Sequence, residues 1–326
     1  MRGMKKFFLT TIVLIVVLAL AVFGTVWALN HFSGGLPFSQ RCTATASAVG
    51  SHNLAPDQAD NAALISAISL QRDLPARAAT IGIATAMQES KLRNIDYGDR
   101  DSLGLFQQRP SQGWGTEEQV QDPRYATEAF YDVLARIKGY DDMPVTDAAQ
   151  AVQRSAFPDA YAQHEDMARA FASALTGNSP AALDCRLHEA DTGDLAGFST
   201  RFAADFSDLE ARPVNREGGD AALAGQKQIA VSIPDDADAG ADGGDAEADD
   251  AGAGAAGEDT QPDGADKQPD VRMWAVANWA VAVADSYGIV AVDAGGQQWT
   301  RDEPWAPSDV PEAGNVLITF APQDAD

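Results

Sequence analysis

The sequence has 326 residues and a formal net charge of −25, with 48 acidic residues against 23 basic ones. The charge is uneven, because residues 1–40 carry +3, residues 41–186 carry −6 and residues 187–326 carry −22. This excess argues against nucleic acid and other anionic polymers as partners of the acidic C-terminal segment, since like charges repel. The two cysteines are too few to form a structural zinc site by themselves.

Residues 1–40 have the pattern of a membrane anchor. Three basic residues (Arg2, Lys5 and Lys6) precede an uncharged run from Phe7 to Leu29. A helix of this length crosses a bilayer core of about 30 Å. We therefore expect a single-pass transmembrane helix, with a cytoplasmic N-terminus and extracellular domains. The alternative is a secreted protein, cleaved near Ala28.

The two cysteines, Cys42 and Cys185, bracket the next segment of the chain. In an oxidising compartment such a pair is expected to form one disulfide. In the chain-entropy model, a closed loop of this length restricts the unfolded state by about 4–5 kcal/mol. The segment 41–186 is therefore predicted to be one disulfide-bracketed domain.

Hydrophobic spacing within residues 41–186 predicts helices and no regular strand. Helix starts are expected near Pro56, Pro75, Pro123 and Pro158, with a short helix from Thr146 to Val152. These patterns predict an α-rich domain. The non-helical stretch 94–121 is rich in Gly and Asp, and such loops commonly carry binding residues.

Glu89 is the candidate catalytic residue, because it ends a predicted helix whose preceding residues are apolar. An apolar wall favours the neutral form of a carboxyl group, which can then deliver a proton near neutral pH. Gln107, eighteen residues later, offers a donor and an acceptor to a sugar. Trp114, between two glycines, offers a flat face to a pyranose ring. The alternatives are a surface glutamate and a tryptophan that fills its own loop.

The stretch Glu89-Ser90, then Gly104-Leu105-Phe106-Gln107, then Arg109-Pro110, resembles the signature of the soluble lytic transglycosylase family, which is related to goose-type lysozyme. The resemblance covers about residues 55–175. It implies a lysozyme-like domain that cleaves the β-1,4 bond between N-acetylmuramic acid and N-acetylglucosamine in peptidoglycan glycan strands. It also implies that Glu89 first protonates the leaving oxygen and then, as a carboxylate, deprotonates the muramyl 6-hydroxyl to give a 1,6-anhydro product. Ser90 and Gln107 would contact the substrate, and no cofactor or metal is expected.

The chain departs from the family pattern at two places. The family carries a serine between the Glu and the Gln, where this chain has Tyr97-Gly98-Asp99. It also carries Ala-Tyr-Asn late in the domain, where this chain has Ala151-Val152-Gln153. We expect Gln153 to replace the asparagine amide and Tyr161 to supply the missing aromatic ring, both as substrate-binding residues. These departures leave a loss of activity open.

A muramidase would need a second carboxylate beside Glu89. In an inverting hydrolase the two acids lie about 6.5–9.5 Å apart. Asp99 and Asp101 are candidates for this second acid, as is Asp96. Each is equally suited to capping a loop.

Residues 187–326 predict a small α+β domain with an acidic insertion at residues 235–268. Between positions 235 and 266, 12 of 32 residues are acidic and none is basic, so this insertion is expected to be disordered. Helices are predicted around residues 198–209 and 273–287, and strands at residues 228–233, 289–292 and 316–320. The arrangement faintly resembles zinc D,D-carboxypeptidases. No histidine follows His188, so a degenerate domain that binds or scaffolds is expected.

Together, these patterns predict a multidomain envelope protein: a transmembrane helix, an α-rich lysozyme-like domain and a small α+β domain. The expected function is a lytic transglycosylase acting on peptidoglycan. The alternatives are a muramidase using Glu89 and an Asp, and an inactive glycan-binding or scaffold protein with an envelope protein partner.

Overall fold

The computed structural model describes residues 39–154, 158–214, 226–233, 271–308 and 316–322. The predicted membrane anchor and the predicted acidic insertion lie outside these residues. Within the described ranges, no helix combines the length and the apolar character needed to span a bilayer. The residues from Gln40 onward belong to one compact unit.

The segment 41–186 is mostly helical, as the hydrophobic spacing predicts. Its helices are α1 (Pro56–Gln71), α2 (Ala76–Ser90), α3 (Glu117–Gln121), α4 (Pro123–Leu134), α5 (Val145–Gln153) and α6 (Glu165–Leu175). Two 3₁₀ helices, Pro110–Gln112 and Pro158–His164, precede α3 and α6. Three of the expected helix starts are within one residue of the observed ones. The fourth, Pro158, opens the second 3₁₀ helix instead.

Helix α2 lies at the centre of this segment and packs against α1, α4, α5 and α6. Its inward residues are small or branched and fully buried, which allows close approach of the surrounding helices. Gly82 is required at one such approach, because a Cβ there would lie 2.9 Å from Ile65 Cγ2 and 3.0 Å from the Tyr131 hydroxyl. The centre of the fold therefore holds the helix that carries Glu89 in its last turn.

A small antiparallel sheet, which the sequence pattern did not indicate, joins the two ends of this segment. Strands β1 (Arg41–Ala46), β2 (Gly50–Leu54) and β3 (Leu183–Arg186) pair in the order β2-β1-β3. Cys42 lies opposite Cys185 on β1 and β3, and the two form the expected disulfide.

The remaining strands form one antiparallel sheet in the order β4-β5-β9-β6-β7-β8. They are β4 (Glu210–Val214), β5 (Gln228–Ser232), β6 (Ile289–Ala294), β7 (Gln297–Thr300), β8 (Ala306–Pro307) and β9 (Val316–Phe320), with helices α7 (Leu195–Asp205), α8 (Val271–Ala282) and α9 (Ala284–Tyr287). Strand β5 pairs with β9, so strands on both sides of the acidic insertion share one sheet.

Helix α8 joins the two segments into a continuous hydrophobic core. It packs against α6 and β3 on one side and against β6 on the other. Its buried Asn278 donates a hydrogen bond to Ala174 O (2.8 Å) and accepts one from Leu183 N (3.3 Å). Trp274, Trp279 and Trp299 are buried, so they serve this core.

A buried carboxylate strengthens the same junction. Asp205, which is fully buried at the end of α7, accepts hydrogen bonds from Arg201 Nε (2.6 Å), Trp279 Nε1 (2.8 Å) and the Arg124 guanidinium. Arg124 belongs to α4, so the contact links the C-terminal part to the helices around α2. All three donors share the buried Asp205 carboxylate as their acceptor. The network therefore connects the two segments structurally.

Candidate active site

Glu89 is the penultimate residue of α2 and is half-buried. The helix stops immediately after it, because Lys91 and Leu92 adopt left-handed backbone conformations with φ of 59° and 55°. The Leu92 amide donates back to Ala86 O (3.0 Å), and the Leu92 side chain is buried. This abrupt end fixes the position of the Glu89 side chain relative to the loop that follows.

Two side chains from later in the chain contact the Glu89 carboxylate. The hydroxyl of Tyr161, which is fully buried in the 3₁₀ helix before α6, donates to Glu89 Oε1 at 2.6 Å. The Gln153 amide at the end of α5 also hydrogen-bonds to Glu89. The structure therefore places both residues expected to replace the family's Tyr-Asn pair beside Glu89.

The environment of Glu89 favours its protonated form. Burial raises the pKa of the carboxyl group above its ordinary value of 4.5, and the hydrogen bonds from Tyr161 and Gln153 partly oppose this increase. One helix end thus carries a carboxyl group that has a fixed orientation and retains a proton to higher pH than an exposed glutamate.

The loop after α2 is tied to the site through backbone carbonyls. Ser90, which is buried, donates its hydroxyl to Leu105 O (2.7 Å), and Gln153 Nε2 donates to Phe106 O (2.8 Å). Gly104 has a φ of 77°, and a Cβ there would lie 2.1 Å from Val120 O, so only glycine fits this turn. Ser90 is thus engaged in positioning the loop, through bonds that lie inside the fold.

Gln107 shapes the loop that precedes it. Its Nε2 donates to Tyr97 O (3.2 Å) and Gly104 O (3.3 Å), and its backbone is left-handed with a φ of 49°. Its Oε1 lies so close to Gly98 that a Cβ there would be 2.0 Å away. The half-buried Gln107 amide therefore holds residues 97–98 in place.

Trp114 follows the first 3₁₀ helix and is only partly buried, packed against the hydrophobic core. Its neighbours Gly113 and Gly115 both have positive φ values, of 85° and 135°. The backbone here accordingly turns sharply on both sides of the indole. Part of the side chain packs against the core, and the rest is accessible to solvent.

The two candidate second acids have different surroundings. Asp101 accepts hydrogen bonds from Arg109 Nε (2.9 Å) and Ser111 N (2.8 Å). Hydrogen bonds from Ser111 and Arg109 hold the pKa of the Asp101 carboxyl far below its usual range, so it stays ionised and fastens the loop. The Asp99 side chain is 91% exposed, with Arg100 Nε 4.0 Å away.

A polar cluster beside Glu89 was not singled out by the sequence. Gln88 Oε1 lies 3.0 Å from His164 Nε2 and 3.2 Å from Gln163 Nε2. Burial and the charge of Lys91 lower the pKa of His164, which favours its neutral form. The next residue, Glu165, points away from His164 and forms an ion pair with Arg77 (3.1 Å), because adjacent helix residues do not face each other.

In the part of the chain that the structure describes, no group of three or more His, Cys, Asp or Glu side chains is arranged to hold a metal ion. Comparison with known proteins found no matching family model and no similar curated protein. The geometry around Glu89 and the motif resemblance are therefore the features that point to a function.

Proposed function

We propose that this chain is a peptidoglycan lytic transglycosylase that cleaves the β-1,4 bond between N-acetylmuramic acid and N-acetylglucosamine. The observation that carries the proposal is the half-buried Glu89 carboxyl, whose pKa is raised by burial and whose Oε1 accepts the Tyr161 hydroxyl. A carboxyl group that retains its proton to higher pH than an exposed glutamate is what protonation of a glycosidic oxygen requires.

The two opposing influences on Glu89 suit the two halves of the reaction. In the first step Glu89 gives its proton to the glycosidic oxygen as the bond to C1 of the muramyl residue breaks. In the second step the resulting carboxylate takes the proton of the 6-hydroxyl, whose oxygen bonds to C1 and closes the 1,6-anhydro ring. Burial favours the acid before the first step, and the bonds from Tyr161 and Gln153 stabilise the carboxylate between the steps.

The surrounding residues take positioning and binding roles in this proposal. Ser90 and Gln153 fix the loop at residues 104–107 relative to Glu89 through the carbonyls of Leu105 and Phe106. The exposed part of Trp114 contacts the sugars, whereas the Gln107 amide holds residues 97–98 in place. The proposed location is the outer face of a bacterial membrane, supported by the predicted anchor and by the disulfide.

The test compares wild type with Glu89→Gln on purified sacculi. Wild type should release soluble muropeptides with 1,6-anhydro ends by mass spectrometry. Glu89→Gln should reduce the rate by about 10²–10⁴-fold, the usual contribution of a general acid, while still binding sacculi. Reducing ends in the product would identify a muramidase instead.

The departures from the family motif favour one further candidate, a catalytically silent glycan-binding or scaffold protein. In that case wild type and Glu89→Gln would pull down sacculi equally, and neither would release product. Arg109→Lys is the control for the pull-down and release measurements, because it changes the loop contact with Asp101 and leaves the Glu89 contacts in place.

A further inference from the structure

Tyr97 is an aromatic residue that the folded structure leaves in solvent. Among the described residues, the exposed large hydrophobic side chains are Tyr97, at 69% exposure, and Val271, at 41%. An aromatic ring gains much from burial, so covering the exposed ring of Tyr97 with a ligand would be favourable. Val271 opens α8 and adjoins the residues that are not described, whereas Tyr97 lies in the loop between α2 and α3.

The segment that presents Tyr97 is held in place on both sides of the ring. Before it, Ile95 O accepts the amide of Gly104 (2.8 Å) and the side-chain amide of Gln121 (3.3 Å). The Tyr97 carbonyl itself accepts a hydrogen bond from Gln107 Nε2 at 3.2 Å. The backbone around Tyr97 therefore loses little conformational freedom when the ring binds a ligand, which favours affinity.

A continuous series of hydrogen bonds connects this segment to Glu89. Gln153 bonds to Glu89 and donates to Phe106 O, Gln107 follows Phe106, and the Gln107 amide donates to Tyr97 O. The ring is thus presented by the same loop that Gln153 fixes to the candidate catalytic residue.

The groups flanking the ring determine the chemistry of that ligand. Asp96, Asp99 and Arg100 are exposed and lie within three positions of Tyr97, so the same loop segment carries an aromatic ring and charged donors and acceptors. A pyranose has the matching pattern, with an apolar C–H face and a rim of hydroxyl and amide groups. An aromatic face with a polar border binds such a ring by stacking, with hydrogen bonds at the rim.

The geometry points to Tyr97 as a stacking platform for an N-acetylhexosamine ring of the glycan strand, in a subsite next to the one that Glu89 serves. The inference deepens the proposed function and depends on it for the identity of the ligand. The proposed stacking contact requires the aromatic ring of Tyr97 and does not require its hydroxyl.

The test measures binding without catalysis, so that it fails separately from the proposed reaction. In the Glu89→Gln background, binding of a β-1,4-linked N-acetylglucosamine hexamer and of purified sacculi is compared among Tyr97→Ala, Tyr97→Phe and the control Val271→Ala. Tyr97→Ala should weaken binding of both by about tenfold, the typical cost of truncating an aromatic contact residue. Tyr97→Phe and Val271→Ala should stay within about twofold.

Thermal unfolding separates a lost contact from a lost fold. Tyr97→Ala should leave the melting temperature unchanged, since the ring is exposed and Gln107 bonds only to its carbonyl. Unchanged glycan binding by Tyr97→Ala would overturn the inference, as would equal losses in Tyr97→Phe or the absence of glycan binding by the Glu89→Gln protein itself. In an active enzyme, Tyr97→Ala should raise KM more than it lowers kcat.

Discussion

The Tyr161 hydroxyl donates a 2.6 Å hydrogen bond to Glu89 Oε1 across 72 positions of sequence. The bond opposes the effect of burial on the same carboxyl group, because a donor stabilises the ionised form while desolvation disfavours it. Tyr161 is itself fully buried, so its hydroxyl has a fixed position. The tyrosine therefore sets how far the pKa of Glu89 rises as well as where the carboxyl points.

Tyr161→Phe should raise the pKa of Glu89 further, because it removes a bond that lowers this pKa. The basic limb of the pH–rate profile, where the acid loses its proton, should then move to higher pH. Leaving Oε1 without this donor should also cost about 1 kcal/mol of stability. Profiles of wild type and of Tyr140→Phe, a partly buried tyrosine outside the site, provide the comparison. A basic limb that stays in place or moves down would contradict the role of this hydroxyl.

Glu89→Gln should make the protein more stable than wild type at neutral and alkaline pH. The folded-state pKa of Glu89 is raised, so its neutral form contributes its full stabilisation below about pH 4.5, the pKa in the unfolded chain. This contribution is lost as the pH rises through the pKa in the folded protein. Glutamine keeps an acceptor for Tyr161 and never ionises. Urea unfolding at pH 4, 6 and 8 should show a difference that is small at pH 4 and grows with pH. A constant difference would mean that the carboxyl is not desolvated.

Asp99→Asn and Asp101→Asn should separate the transglycosylase from the muramidase. Asp99 is exposed, so its substitution should leave product release within about twofold, as for most surface changes. Asp101→Asn should lower the melting temperature, because the ionised carboxylate accepts from both Ser111 and Arg109. Since the pKa of Asp101 is depressed, this contribution is present above about 3.8 and is lost only below it. Loss of product release without any thermal change would instead identify Asp101 as a catalytic acid.

Asp205→Ala should destabilise the whole described unit and not the C-terminal part alone. Removing the carboxylate leaves the guanidinium groups of Arg124 and Arg201 and the Trp279 indole without their shared acceptor. Breaking a buried ion pair by deleting one partner typically costs about 3–5 kcal/mol. Fluorescence of the tryptophans and far-ultraviolet circular dichroism should report one coincident transition at lower denaturant concentration. Two separated transitions would show that the two segments unfold independently.

The sequence predicted the parts of the fold that depend on local signals. Proline at a helix start and apolar spacing located α1, α2 and α4 closely, and β9 was predicted over the residues where it occurs. The small sheet was missed because its strands are short and mix small polar and apolar residues, with few positions facing inward. Strands of this kind are stabilised by tertiary contacts, here a disulfide, that no local pattern records.

The candidate site was predictable in its residues but not in its connections. The spacing of eighteen positions between Glu89 and Gln107 matches the motif. Comparison with the motif also indicated Gln153 and Tyr161 as members of the site. The bonds to Leu105 O and Phe106 O involve backbone carbonyls, which every residue carries and which no residue identity marks. For the same reason, the sequence does not reveal the hydrogen bond from the Gln107 amide to the Tyr97 carbonyl.

The pairing of β1 with β3 has a consequence for mechanical load. Arg41 and Arg186 are cross-strand partners, and the neighbouring pair is the disulfide. Force applied at these two positions would pass through a covalent bond between adjacent strands, while α1–α6, which lie between them in sequence, would bear almost none of it. The helix end that carries Glu89 would keep its geometry under tension that unfolds an unbridged chain.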